Sequence, residues 1–129
     1  MTISKLKKKL DTLFSQYIRR RFAEDNGMTT CFTCGVKRHW KEQHAGHFQS
    51  RRHMSTRWDE TNVQVQCPKC NLFSQGEQYK FGIYLDENYG KGTAESLRFK
   101  ANQIEKITKQ EYLEKIEDVQ QKIRELDEQ

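Results

Sequence analysis

Four cysteines stand in two close pairs, Cys31-x-x-Cys34 and Cys67-x-x-Cys70. Two intervening residues let both thiolates of a pair reach one tetrahedral ion from a tight turn, and Gly35 directly after Cys34 suits such a turn. Two pairs complete a four-thiolate set that is closed to water and therefore structural, and sulfur ligands favour zinc over magnesium or calcium. The same cysteines could instead form two disulfides or stay separate buried thiols. The opening MTISKLKKKL carries no apolar signal core, which points to a reducing interior, where paired cysteines more often bind metal. Residues 35–66 separate the pairs, a longer span than the ~15–20 residues of an ordinary two-pair finger. A clamp closing such an insert presents it rigidly, and all four histidines (His39, His44, His47 and His53) fall inside it. Imidazoles titrate near neutrality and can serve as bases or metal ligands.

The elements that must position these groups are legible mainly at the two ends. Residues 4–23 read as a helix, because Leu6, Leu10, Leu13, Phe14, Tyr17 and Ile18 recur at three- and four-residue steps. Ser4 is its expected N-cap and Gly27 its expected stop. His44 to Gln49 and Asn62 to Gln66 read as strands, the second by its alternation of polar and apolar residues. A helix is expected over 71–85, a loop over 86–92 and a further helix over 93–107. Thr108 and Glu111 form a capping-box pattern that opens a last helix. That helix carries Tyr112, Leu113, Ile116, Val119, Ile123 and Leu126 close to a heptad seam. The seam could dock on the chain's own core or pair with a second copy. The chain thus divides into a basic N-terminal helix (1–27), a zinc-stapled core (28–85) and a C-terminal helical region (86–129). Tyr17, Phe22, Phe32, Phe48 and Trp58 are expected to pack as core, with Trp40 the best candidate for an exposed aromatic.

Composition sets the limits. Of 129 residues, 34% are hydrophobic and 32% charged, which allows one domain with little core material and leaves room for metal to help hold it. No 18-residue apolar run exists, so no membrane partner is expected. The net charge is +5, with seven basic residues against one acid in the first 22 and five against eight in residues 103–129. A basic front and an acidic tail suit a polyanion at one end of the molecule, although solvated helix faces give the same pattern.

The order His47, Asn62, Asn71, with cysteine pairs on either side, resembles the HNH endonucleases. Within them it is most similar to the NinG/Rap recombination proteins of lambdoid phages. The stretches FSQYIRRRFAEDNG, CFTCG, HAGHFQSR, RWDETNVQVQC and PKCN carry the likeness, across residues 14–71. Endonuclease VII-like junction resolvases share a similar zinc-flanked plan. The resemblance implies an α+β fold with a ββα-metal (HNH, His-Me finger) core on a four-cysteine zinc site, flanked by an N-terminal helix and C-terminal helices.

Phosphodiester hydrolysis needs a base to activate water and a cation to stabilise charge on the phosphate and leaving oxygen. By the resemblance, His47 is the general base and Asn71 a ligand for a catalytic Mg²⁺ or Mn²⁺. Asn62 then holds the loop between strands and orients His47. Many HNH enzymes carry Asp or His just before the base, as a second metal ligand, whereas this chain has Gly46. His44 is the best substitute, with Asp59 and Glu60 as carboxylate alternatives. Arg51, Arg52, Arg57, Lys37, Arg38 and Lys41 surround these positions and are candidate phosphate contacts. The implied function is a metal-dependent endonuclease acting on branched DNA (D-loops, Holliday junctions) in phage or prophage recombination, in the cytoplasm of a bacterial host. A two-fold dimer through the C-terminal helix would suit paired cuts. A non-catalytic zinc module that binds DNA, or an HNH nuclease without branch preference, are the alternatives.

Overall fold

The computed structural model describes residues 1–129. Helix α1 (Ile3–Arg20) buries Leu6, Leu10, Phe14 and Ile18, four residues apart on one stripe. Its N-cap is Thr2, whose side chain accepts from the Lys5 amide at 3.2 Å, so the helix begins earlier than Ser4 suggested. Helix α5 (Lys109–Asp127) opens on the expected capping box between Thr108 and Glu111 and buries Tyr112, Ile116, Val119 and Ile123. The two stripes pack against each other and against Val63 in one nine-residue core. Four of the six seam residues are therefore buried in the chain's own core, while Leu113, 43% exposed, and half-buried Leu126 lie outside it.

Two antiparallel hairpins fill the middle. Strands β1 (Met28–Thr30) and β2 (Lys37–His39) flank the first cysteine pair. Strands β3 (His44–His47) and β4 (Val63–Gln66) pair with His44 opposite Gln66 and His47 opposite Val63, matching the two expected strands. A one-turn helix, α2 (Met54–Arg57), lies in the connection. Beyond Cys70 come α3 (Gln78–Tyr89) and α4 (Thr93–Ala101). They share a small cluster of Phe81, Leu85 and Leu97, against which Phe32 and Phe48 pack.

The expected helix over 71–85 is broken. A wide helical turn covers Lys69–Phe73 and a tight one Gln75–Glu77, and regular helix starts only at Gln78. Gln75, Gly76 and Glu77 have φ of 52°, 77° and 49°, a left-handed path that no α-helix can follow. Helix α3 then runs on to Tyr89, so the expected 86–92 loop shrinks to three residues, and α4 stops at Ala101 rather than at 107. Ile104, 97% exposed, offers that later stretch nothing to pack on. Tyr17 and Trp58 join the helix core, but Phe22 is exposed, contrary to expectation. Trp40 is half-buried, with the guanidinium groups of Arg19 and Arg20 over its ring at 5.2 and 5.5 Å. No helix is long and apolar enough to cross a membrane.

Candidate functional site

The first hairpin and the turn after β4 bring the four cysteines together. Their sulfurs all lie within 4.8 Å of one another, and Cys34 Sγ is 3.7 Å from Cys67 Sγ. Sulfurs about 2.3 Å from a tetrahedral ion stand about 3.8 Å apart, so the cluster has the dimensions of a zinc site. Cys31, Cys67 and Cys70 are buried, and all four cysteines are free thiols rather than disulfides. Burial would raise the Cys31 thiol, but backbone hydrogen bonds at Cys67, Cys34 and Thr33 and the Thr33 hydroxyl bring it down to about 6. Burial and the neighbouring thiols push Cys70 up to about 12. Sulfurs this close cannot all ionise without a cation between them. The cluster could hold a zinc ion, and that ion would fix the position of Asn71, the residue after Cys70.

Asn62 is fully buried at the foot of β4. Its Oδ1 accepts from the Gln49 amide at 2.7 Å, and its Nδ2 donates to the carbonyls of Gln49 and Thr56, each at 3.0 Å. One side chain therefore closes the loop between β3 and β4 at both ends. Within that loop the Arg57 carbonyl lies 3.0 Å from His47 Nε2. A carbonyl can only accept, so Nε2 carries the proton and Nδ1 keeps the lone pair. Burial, the largest influence, lowers the His47 pKa to about 4, with the Arg51 charge acting the same way. The ring is neutral at pH 7, the state a base requires.

His44 and Asn71 meet across the cleft, with Asn71 Nδ2 3.1 Å from His44 Nδ1. Gly46 between the two histidines has a specific cause. A Cβ there would stand 1.9 Å from Gln66 Oε1, because the Gln66 side chain crosses directly beneath. That side chain is fully buried, and its Nε2 donates to Thr33 Oγ1 at 3.1 Å and to the Gly76 carbonyl at 2.8 Å. It joins the cysteine knuckle to the left-handed turn behind Asn71. A ligand side chain at position 46 is sterically excluded.

An open cleft of about 770 Å³ collects these groups. His44, His47 and Asn71 line it, together with Arg19, Lys41 and Arg51. Gln43, His44, Ala45, His47 and Phe48 all reach it. Residues of both parities do so because β3 has a partner only on its β4 side and presents its free edge to the cleft.

The other candidates lie apart from it. Asp59 caps the Thr61 and Asn62 amides and pairs with Lys100, and Glu60 bonds Tyr17 and Lys122. Neither lines the cleft that holds His44, His47 and Asn71. Lys37 pairs with Glu24 at 2.7 Å, and Arg38 and Arg52 are exposed outside the cleft lining. Arg57 is committed internally. It grips Asp11 with two hydrogen bonds, at 2.6 and 3.0 Å, and donates to the Arg51 carbonyl.

Asp11 itself was missed from the sequence, as was Gln43 of the lining. Asp11 is the one acid among the first 22 residues, and it anchors both Arg57 and Trp58, whose Nε1 donates to it at 2.9 Å. Its isolation in a basic helix was the available signal. No curated protein and no solved structure matches this chain. One family model does, that described as bacteriophage lambda NinG protein, over residues 2–129, and the chain belongs to that family.

Proposed function

We propose that the protein is a metal-dependent DNA endonuclease of the HNH (ββα-metal) kind, acting on branched recombination intermediates in the phage life cycle. One observation carries this reading: a neutral imidazole with its Nδ1 lone pair free and a His–Asn pair line the same basic cleft. His47 takes a proton from the attacking water at Nδ1, while the Arg57 carbonyl holds the opposite nitrogen and so the ring's tautomer and orientation. Asn62 keeps that carbonyl in place through its bonds to Gln49, at the start of the loop, and to the carbonyl of Thr56, next to Arg57. Asn71 and His44 would hold the catalytic cation. Asn71 would offer its Oδ1 and His44 a ring nitrogen, and the cation would replace the hydrogen bond that Asn71 Nδ2 now makes to His44 Nδ1 at 3.1 Å. Such a cation, Mg²⁺ or Mn²⁺, supplies charge stabilisation at the phosphate and the leaving oxygen. Arg19, Lys41 and Arg51 give the lining a surplus of positive charge toward the DNA backbone.

The test is cleavage of linear, flap, D-loop and four-way DNA with Mg²⁺, Mn²⁺ or EDTA. His47→Ala should lower the rate by about 10²–10⁴-fold with zinc content and melting unchanged. Native-rate cutting by that variant would remove His47 as the base. Asp11, the one carboxylate lining the cleft, is already spent on Arg57 and Trp58. That favours, as a second reading, a zinc module that binds DNA without cutting it. Binding with no cleavage under any cation would select this second reading.

A further inference from the structure

Three large apolar side chains stand in solvent beside the cleft: Leu72 at 61% exposure, Phe73 at 82% and Tyr79 at 84%. They alternate along the chain with cleft-lining residues. Asn71 precedes Leu72 and Phe73, Gln75 and Gly76 follow, and Gln78 adjoins Tyr79. Leu72 and Tyr79 directly adjoin lining residues and Phe73 is two residues from the nearest, so all three lie close to the mouth of the cleft although none lines it. The backbone that displays them is in an unfavourable conformation. Gln75 and Glu77 hold positive φ without being glycine, and the turn is fixed from behind by Gln66 Nε2 on the Gly76 carbonyl. Strain of this kind persists where surrounding contacts over-determine it, and it collects at functional sites. Burying such side chains would stabilise a small domain, yet the fold turns them outward.

We propose that Leu72, Phe73 and Tyr79 form a stacking rim for unpaired nucleobases at the mouth of the cleft. This inference rests on the DNA reading above and deepens it, by naming what on the substrate would mark a branch. Every nucleobase has a flat apolar face beside an anionic backbone, and the rim has that pairing of features. Exposed Lys69 and Lys80 bracket it, Glu77 is the only acid between them, and the molecule's ion pairs involve neither lysine. Three side chains fall far short of the ~800 Å² per partner of a stable protein interface, whereas one ring suffices to stack one base. Paired bases inside a duplex offer no free face, so the rim selects branch points, flaps and gaps over linear DNA.

The experiment places 2-aminopurine as a single unpaired base at the branch of a four-way junction and, separately, as a paired base inside a linear duplex. It measures fluorescence and affinity with zinc kept bound, without chelator and without added Mg²⁺ or Mn²⁺, for the full chain, for Phe73→Ala/Tyr79→Ala and for Phe73→Trp. The native chain should change the branch signal and leave the duplex signal alone. The double variant should bind the junction about tenfold more weakly, bind the duplex within twofold of native, and melt as native does. Phe73→Trp should retain the junction affinity. Equal affinity of the double variant and native chain for the junction overturns the rim. So does an equal loss on both DNAs, which marks a general contact or a partner of another kind. A branch signal that depends on the two rings, in a protein that never cuts, overturns the nuclease reading alone and leaves the rim standing.

Discussion

At the α1–α5 end, nine buried side chains, eight of them from the two helices, make a continuous apolar seam, closed by an N-cap on each helix. At the cysteine end the buried cluster is three sulfurs, and the two hairpins that frame it are three and four residues long per strand. Two-stranded ribbons of that length are marginal on their own. The helical end needs only water to hold together, because the hydrophobic effect acts wherever apolar surface leaves solvent. The knuckle, with so little apolar burial, would be held by an ion such as the zinc its four cysteines could bind. The cleft lies where the two meet, with His47 backed by Asn62 and the Asp11–Arg57 pair, and Asn71 carried by the turn that Cys70 anchors. The shape of the cleft thus depends on the half of the molecule least able to fold unaided.

The contrast can be broken or sharpened by experiment. The largest effect should come from Cys67→Ser or from stripping zinc with a chelator, since structural zinc contributes on the order of 10 kcal/mol to folding. Amide protection should vanish over residues 28–47 and 63–77 while much of the helical circular dichroism survives. Loss of both in one transition would mean that the ends fold as a single unit. Next comes Leu10→Ala, which empties the centre of the helix seam and should cost about 2–5 kcal/mol. Zinc stoichiometry should be unchanged at temperatures where the variant stays folded, and a fall in bound zinc would tie the two ends together. The smallest is Thr108→Ala, which removes the α5 cap and should cost ~1 kcal/mol in a thermal melt. A melt that matches native would mean that the seam, not the cap, sets where α5 begins.

The same contrast governs what could be read from the residues. The helices α1 and α5 were legible because burial of one face leaves a periodic trace, and the four cysteines were legible because ligand spacing is itself a pattern. The β1–β2 hairpin left no trace: its strands are short and mostly polar, and the cysteine turn joins them rather than any alternation. The broken helix after Cys70 was hidden for another reason. Two of its three left-handed positions are Gln75 and Glu77, residue types that give no warning of positive φ. Asp11 reaches Arg57 across 46 residues, a distance no local pattern spans. His44, His47 and Asn71 were chosen by order along the chain, and the structure gathers them in one cleft. Arg57, chosen with them as a phosphate contact, lies outside the cleft lining and is paired with Asp11.

The carboxamide of Gln66 lying where a methyl group of residue 46 would be has an evolutionary reading. The two positions, twenty residues apart in sequence, amount to a single choice. A lineage that places a bulkier group beside His47 has to move or shorten residue 66, and in doing so it releases the tie between the knuckle and the turn at Gly76. Descendants should therefore keep the glycine and the glutamine together or exchange both.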